Sequence, residues 1–139
     1  MQNIILFVQG HILLSVAVLA VLGLLVIIEW IQLKRGADQL SPAAATQRLN
    51  RTDALVIDIR STDLFRGGHI INAVSLPTVN EDSIKKLNAF KSRLLIIADS
   101  AGTESPRAAG IILRAGFKAT ILKGGMRAWK EVGMPVLKN

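Results

Sequence analysis

Five reactive side chains, Asp99, Ser100, Thr103, Glu104 and Ser105, crowd into the stretch "DSAGTES". The apolar run Leu94–Ala98 precedes it and the helical pattern "PRAAGIILRAG" follows it. A loop between the end of a buried strand and the start of a helix offers backbone N–H groups to an anion. Ala101 and Gly102 keep this loop small. A serine nucleophile needs a base, and the chain's 2 histidines are His11 and His69. There are no cysteines, which excludes disulfides, thiolate-ligated metals and every thiol mechanism. With so few histidines a His-rich metal site is excluded too, and no cofactor is expected.

Three readings of the loop remain. In the first, Asp99 is an internal anion whose carboxylate accepts the loop's own N–H groups. In the second, the loop holds an external anion or a peptide carboxylate, assisted by Arg107 and opposed by the like charge of Asp99. In the third, Asp99 or Ser100 is a nucleophile. A thiol followed six residues on by arginine would hold a phosphate, but here the sixth residue after Asp99 is Ser105.

Other candidates read first as structure. His69 stands beside the Gly67-Gly68 turn as a hydrogen-bonding group. Asp58 lies in an apolar run, so it must be hydrogen-bonded or paired; N–H groups of a neighbouring loop are its expected partners. Arg60 is expected to meet Asp63 or Glu104. Asn72 tolerates a left-handed backbone. Gly124 and Gly125 give a tight strand-to-helix turn, and Trp129 is expected in the core.

The elements that must position these residues alternate. Ser41-Pro42 starts a helix that ends near Asn50. "ALVIDI" reads as a strand buried on both faces, "STDLFRGGHI" starts with a candidate cap and is punctuated by Gly-Gly, and "AVSLP" reads as a short strand. "EDSIKKLNAF" reads as a surface helix with Ile84, Leu87 and Phe90 inward. "LLIIA" and "KATIL" are strands. The helix between them presents Ala108, Ile111, Ile112 and Ala115 to the core, and "GGMRAWKEVG" is a last helix. Strand–helix alternation implies an α/β fold with a parallel sheet.

From Ile12 to Ile28 there is no charged residue. Residues 4–30 are long and apolar enough for a transmembrane anchor. A cleaved signal peptide would carry a basic start, and residues 1–10 hold no Lys or Arg. Residues 31–41 read as a juxtamembrane linker and 42–139 as the folded domain. Trp30, Lys34 and Arg35 mark the membrane interface. All 17 Lys and Arg follow position 33, which places the C-terminal part in the cytoplasm and the N-terminus outside. That part is more positive than the chain's overall +7, because Glu29 precedes it. The anionic leaflet is therefore a natural partner. Scattered basic residues and the absence of Tyr argue against nucleic acid. Ser15, Ala17, Ala20 and Gly23 allow close helix approach, which leaves homo-oligomerisation open.

In order and spacing, "LVIDIRSTDLFRGGHIINAVSLP", "LLIIADSAGTESPRAAGIILRAGF" and "ILKGGMRAWKEVGMPV" resemble the rhodanese-like domain family over residues 41 to 139. Anchor included, the chain is similar to single-pass inner-membrane members of that family in bacteria. The resemblance implies a rhodanese-like parallel sheet flanked by helices, preceded by one N-terminal transmembrane helix. It also implies that Asp58, Arg60, Gly68, His69, Gly124, Gly125 and Trp129 are family motif residues with structural roles. The family's loop reads Cys-x-x-Gly-x-x-Ser, and its cysteine carries sulfur as a persulfide. Here Asp99 occupies the cysteine position, so the loop is degenerate and no catalytic residue is expected. With thiol chemistry removed, the expected role is a pseudoenzyme serving as an adaptor at the cytoplasmic face, and membrane location alone suggests a membrane protein, such as insertion or export machinery, as its partner. The alternative is an accessory sulfurtransferase-family protein that positions a sulfur donor or binds an anion without carrying a persulfide.

Overall fold

A computed structural model describes residues 1, 5–7, 10–34, 36–51 and 53–139. It divides into two compact units, Met1–Arg35 and Gly36–Asn139. In the first, helix α1 spans Ile12–Lys34, and its stretch Ile12–Ile31 has the length and composition of a membrane span or signal sequence, with none of it buried. Trp30 is exposed on α1. Ile4, where the anchor is expected to begin, and Arg35 lie outside the described residues, and Lys34 is described only as the last backbone position of α1.

The second unit is built on five parallel strands: β1 (Gln39–Leu40), β2 (Ala54–Asp58), β3 (Val74–Ser75), β4 (Leu94–Ala98) and β5 (Lys118–Leu122). Their order across the sheet is β1-β5-β4-β2-β3. The helices are α2 (Pro42–Asn50), α3 (Thr62–Arg66), α4 (Glu81–Lys85), α5 (Ser105–Arg114) and α6 (Gly125–Glu131), with a 3-10 segment at Lys86–Phe90. Parallel strands need crossovers, and helices supply them on both faces. That double cover explains the apolar continuity of β2 and β4. Leu55, Ile57, Leu95 and Ile97 enter one core cluster with Ile112 and Leu87. Val56 and Ile96 enter the other, with Ala45, Met126 and Trp129. Successive residues point to opposite faces, so each strand feeds both clusters.

Local chemistry sets the ends. Ser41 caps α2 by accepting from Ala44 N–H at 3.2 Å, with Pro42 in the first turn. Asn80 and Ser83 form a reciprocal capping box on α4.

Three expectations need correction. The stretch 31–41 is not all linker, because Gln39 and Leu40 pair with Ile121 and Leu122 as an edge strand. The helix expected over 81–90 changes to 3-10 after Lys85. Ile84, Leu87 and Phe90 recur every three residues, the period of a 3-10 turn, which turns Leu87 fully inward. On α5 the buried positions are Ala108, Ala109 and Ile112, and Ile111 is half-buried. Ala115 is exposed, because the helix ends at Arg114 and Ala115 is only its C-cap.

Candidate functional site

All strands of a parallel sheet end on the same side, and there β4 delivers Asp99 into the loop. Asp99 is 2% exposed. Its Oδ1 accepts from Gly102 N–H, and its Oδ2 accepts from Glu104 N–H at 2.6 Å and Ser105 N–H at 3.1 Å. Helix α5 has no side-chain cap of its own; Glu104, at its N-cap, makes no such bond. The first N–H groups of a helix lack internal acceptors and favour negative charge. The Asp99 carboxylate supplies both acceptor and charge. The loop's anion-holding groups are thus filled by its own side chain.

The loop is stitched to α6 as well. Asp99 C=O accepts from Met126 N–H at 2.8 Å, and Ser100 C=O accepts from Arg127 N–H at 3.0 Å. Gly124 and Gly125 permit this approach. Both have positive φ, 75° and 62°. A Cβ on Gly125 would stand 2.5 Å from Asp99 O and 2.8 Å from Asp99 Oδ1. Gly102 faces the same seam, where a Cβ would meet Gly124 N at 3.2 Å. The doublet is therefore a close-packing device under the loop in addition to a turn. Ser105 is fully buried, and its Oγ donates to Ile97 O at 3.4 Å. Ser100, Thr103 and Glu104 are exposed, and Ala101 is half-buried.

Beside this loop, at the end of β2, lies a second buried carboxylate. Asp58 is 0% exposed and Arg60 is 7% exposed. Arg60 Nε donates to Asp58 Oδ1 at 2.9 Å and Nη2 donates to Oδ2 at 2.6 Å, a two-pronged pair. Arg60 N–H also donates to Oδ1 at 3.0 Å. This corrects the expected partners: Arg60 pairs with Asp58, and not with Asp63 or Glu104. The turn after β2 folds the guanidinium back onto a carboxylate two residues away, which spares both charges from lying buried and alone. Arg60 Nη2 also donates to Gly68 O at 2.8 Å, tying the strand end to the next turn.

Gly68 has φ 154°, and a Cβ there would stand in ordinary contact with Val136. His69 stacks on Phe65, with ring centroids 4.0 Å apart, and exchanges two backbone bonds with Leu137. Its Nδ1 lies 2.8 Å from Phe65 O, an acceptor only, so that nitrogen carries the proton. Trp129 is buried and its Nε1 donates to Pro135 O at 3.0 Å. Asn72 has φ 59°, the left-handed conformation that its type tolerates.

The stretch expected as one loop divides: Asp99 to Glu104 form the loop, and Ser105 begins α5. Sequence reasoning missed the Asp58–Arg60 pair and the strand-like pairing of His69 with Leu137. Phe65 lies near the end of the short helix α3 and His69 lies beyond its Gly67 cap, so no helical spacing in the sequence signalled their stacking. Clefts flank the loop. One, of about 550 Å³, includes Thr103, Glu104 and Arg107. The other, of about 290 Å³, includes Ser100, Arg127 and Lys130. A bound anion in the first would face Glu104 as well as Arg107.

The rhodanese-like domain family model matches residues 41–132. The uncharacterized protein YibN of Escherichia coli K12 is 29% identical over 142 residues, covering 100% of this chain and 99% of that protein. Among solved structures, the BH2092 protein of Bacillus halodurans aligns with TM-score 0.65 at 22% identity, over 73% of this chain and 77% of that one. A rhodanese-related protein of Thermoplasma volcanium aligns with TM-score 0.60 at 20% identity, over 73% of this chain and 99% of that one. These two structures share the fold. With the family model spanning α2 to α6, the chain belongs to the rhodanese-like domain family.

Proposed function

We propose that this chain is a membrane-anchored, non-catalytic rhodanese-like module that binds a protein partner at the cytoplasmic face of the bacterial inner membrane. One observation carries the non-catalytic half. The buried Asp99 carboxylate occupies the N–H groups of Gly102, Glu104 and Ser105, where a sulfur-carrying anion would be stabilised. A carboxylate cannot hold a persulfide, and the chain has no thiol elsewhere. The anchoring half is supported by the apolar stretch Ile12–Ile31 and by the confinement of all 17 Lys and Arg to positions after it. A tethered fold without its own chemistry acts by presenting surface to other molecules.

The test is crosslinking of the full-length protein in native membranes, beside a variant whose residues 4–30 are replaced by an unrelated anchor. A discrete membrane-protein adduct in the first sample is expected. Its loss in the variant assigns binding to the helix, and its retention assigns binding to the domain. No adduct in either sample overturns the adaptor reading. Thiosulfate-to-cyanide turnover above background by the purified full chain overturns the non-catalytic reading.

A further inference from the structure

The two ends of the sheet differ in charge, and the difference follows chain order. Strands β2, β4 and β5 begin level with one another, Ala54 beside Leu94 and Leu94 beside Lys118. The helices that cross back over the sheet finish at this end. Here lie Arg51, the C-cap of α2; Lys91 and Arg93, before β4; Arg114, the last residue of α5; and Lys118, the first of β5. Lys91 Nζ lies 5.7 Å from the centre of the Phe117 ring, next to Lys118. Arg48 is also here, bonded to Asp53 at 3.4 Å. Where the strands finish, acids and bases are mixed: Asp58, Asp63, Asp99 and Glu104 stand among Arg60, Arg107, Lys123, Arg127 and Lys130.

Helix dipoles favour cations in the last turn and account for Arg48 and Arg114 on structural grounds. They do not account for Lys91 and Lys118, which lie outside the α-helices and are exposed.

We infer that the strand-start end of the domain, through the exposed Lys91, Arg114 and Lys118, docks on the anionic phospholipid headgroups of the leaflet that anchors the chain. The inference rests on the membrane-anchored reading above. Each cation held near an anionic leaflet contributes attraction of about 1 kcal/mol, a factor of roughly five in partition. Docking in this way turns the Asp99 loop and its flanking clefts toward the cytoplasm, where a partner can reach them.

The domain can be tested apart from its anchor. Both core clusters fall within Gly36–Asn139, and the Thermoplasma volcanium relative consists of little beyond the matching fold. Residues 36–139 are sedimented with vesicles of pure phosphatidylcholine, or of phosphatidylcholine with one-third phosphatidylglycerol, at low and physiological salt. Binding only to the anionic vesicles is expected, weakened by salt. The triple variant Lys91→Gln, Arg114→Gln, Lys118→Gln should lower partition by roughly a hundredfold. The triple variant Lys123→Gln, Arg127→Gln, Lys130→Gln at the other end should change it by less than about fivefold, one cation's effect. Near-UV circular dichroism of the buried Trp129 checks that both variants fold. Equal binding to neutral vesicles, or equal loss in both variants, overturns the proposal. Alkaline extraction of the full chain from membranes tests the anchor alone, so its failure is distinct from failure of the docking face.

Discussion

Two buried carboxylates stand at the ends of neighbouring strands and are satisfied in opposite ways. Asp58 closes on a full positive charge, the Arg60 guanidinium, at 2.6 Å. Asp99 closes on backbone dipoles alone, three N–H groups of its own loop and of the start of α5. The first arrangement joins side chains and so depends on two residue types. The second depends on one side chain and on the path of the backbone. Asp58 therefore locks a strand end to the Gly68 turn, whereas Asp99 holds open or closed the question of what the loop binds. The loop's N–H groups that could meet an external anion are met by the loop's own carboxylate.

The comparison breaks hardest at Asp58. In Asp58→Ala the Arg60 guanidinium stays buried with no counter-charge, which should cost about 3–5 kcal/mol. Urea unfolding of residues 36–139 reads this as a large drop in midpoint. Replacing both partners, Asp58→Leu with Arg60→Met, should recover most of the loss, because paired burial is expensive to half-remove and cheap to remove whole. If the double variant is as unstable as Asp58→Ala, the pair does more than neutralise itself.

Asp99→Ala should cost somewhat less, about 2–4 kcal/mol, since it orphans N–H groups of which only some are sealed from water. Asp99→Asn discriminates further. Its amide can accept on one side but aims N–H₂ at donors on the other, so its unfolding midpoint should fall between wild type and Asp99→Ala. Full stability in Asp99→Asn would show that negative charge at the head of α5 contributes nothing. Asp99→Cys asks whether the loop geometry is intact: thiosulfate-to-cyanide turnover gained by that variant would mean that only the nucleophile is missing.

Much of this was legible in the chain. The strands β2, β4 and β5 announced themselves because a sheet covered on both faces needs uninterrupted apolar runs. The loop itself was legible because acid, glycine and helix start fall in one short stretch, but the choice among its three readings needed the N–H groups in place around Asp99. The two-residue strand β1 was not legible, since Gln39 and Leu40 have no periodicity and owe their strand form to pairing with β5. The partner of Arg60 was missed for a related reason. Residues two apart on a strand share a face, but Arg60 lies just past the end of β2, where only the turn decides which way the side chain runs. The glycine doublet showed a turn in sequence, and its second duty, backing the loop, exists only once α6 is packed.

That second duty gives a smaller effect that sharpens the comparison. Gly125→Ala puts a methyl 2.5 Å from Asp99 O at a backbone φ of 62°. Strain and displacement of the loop should cost about 1–3 kcal/mol. The loss should be less than additive with that of Asp99→Ala, because the two act on one loop, and additive with that of Asp58→Ala. Measuring the three single variants and the two doubles by urea unfolding separates the backbone-held carboxylate from the arginine-held one. Additivity of Gly125→Ala with Asp99→Ala would mean that the doublet does not support the carboxylate at all.

The smallest effect belongs to Ser105, which touches the same loop from beneath. Its N–H serves Asp99, while its Oγ makes a long 3.4 Å bond to Ile97 O. Ser105→Ala keeps the N–H and removes only the long bond, at a cost of about 1 kcal/mol or less. The serine hydroxyl is then a minor tie to β4, and the backbone N–H is what residue 105 lends to the anion. A loss in Ser105→Ala as large as that in Asp99→Ala would reverse this assignment. It would place the loop's main support in the hydroxyl and not in the carboxylate, and would make the Asp99 site as dependent on paired side chains as the Asp58 site is.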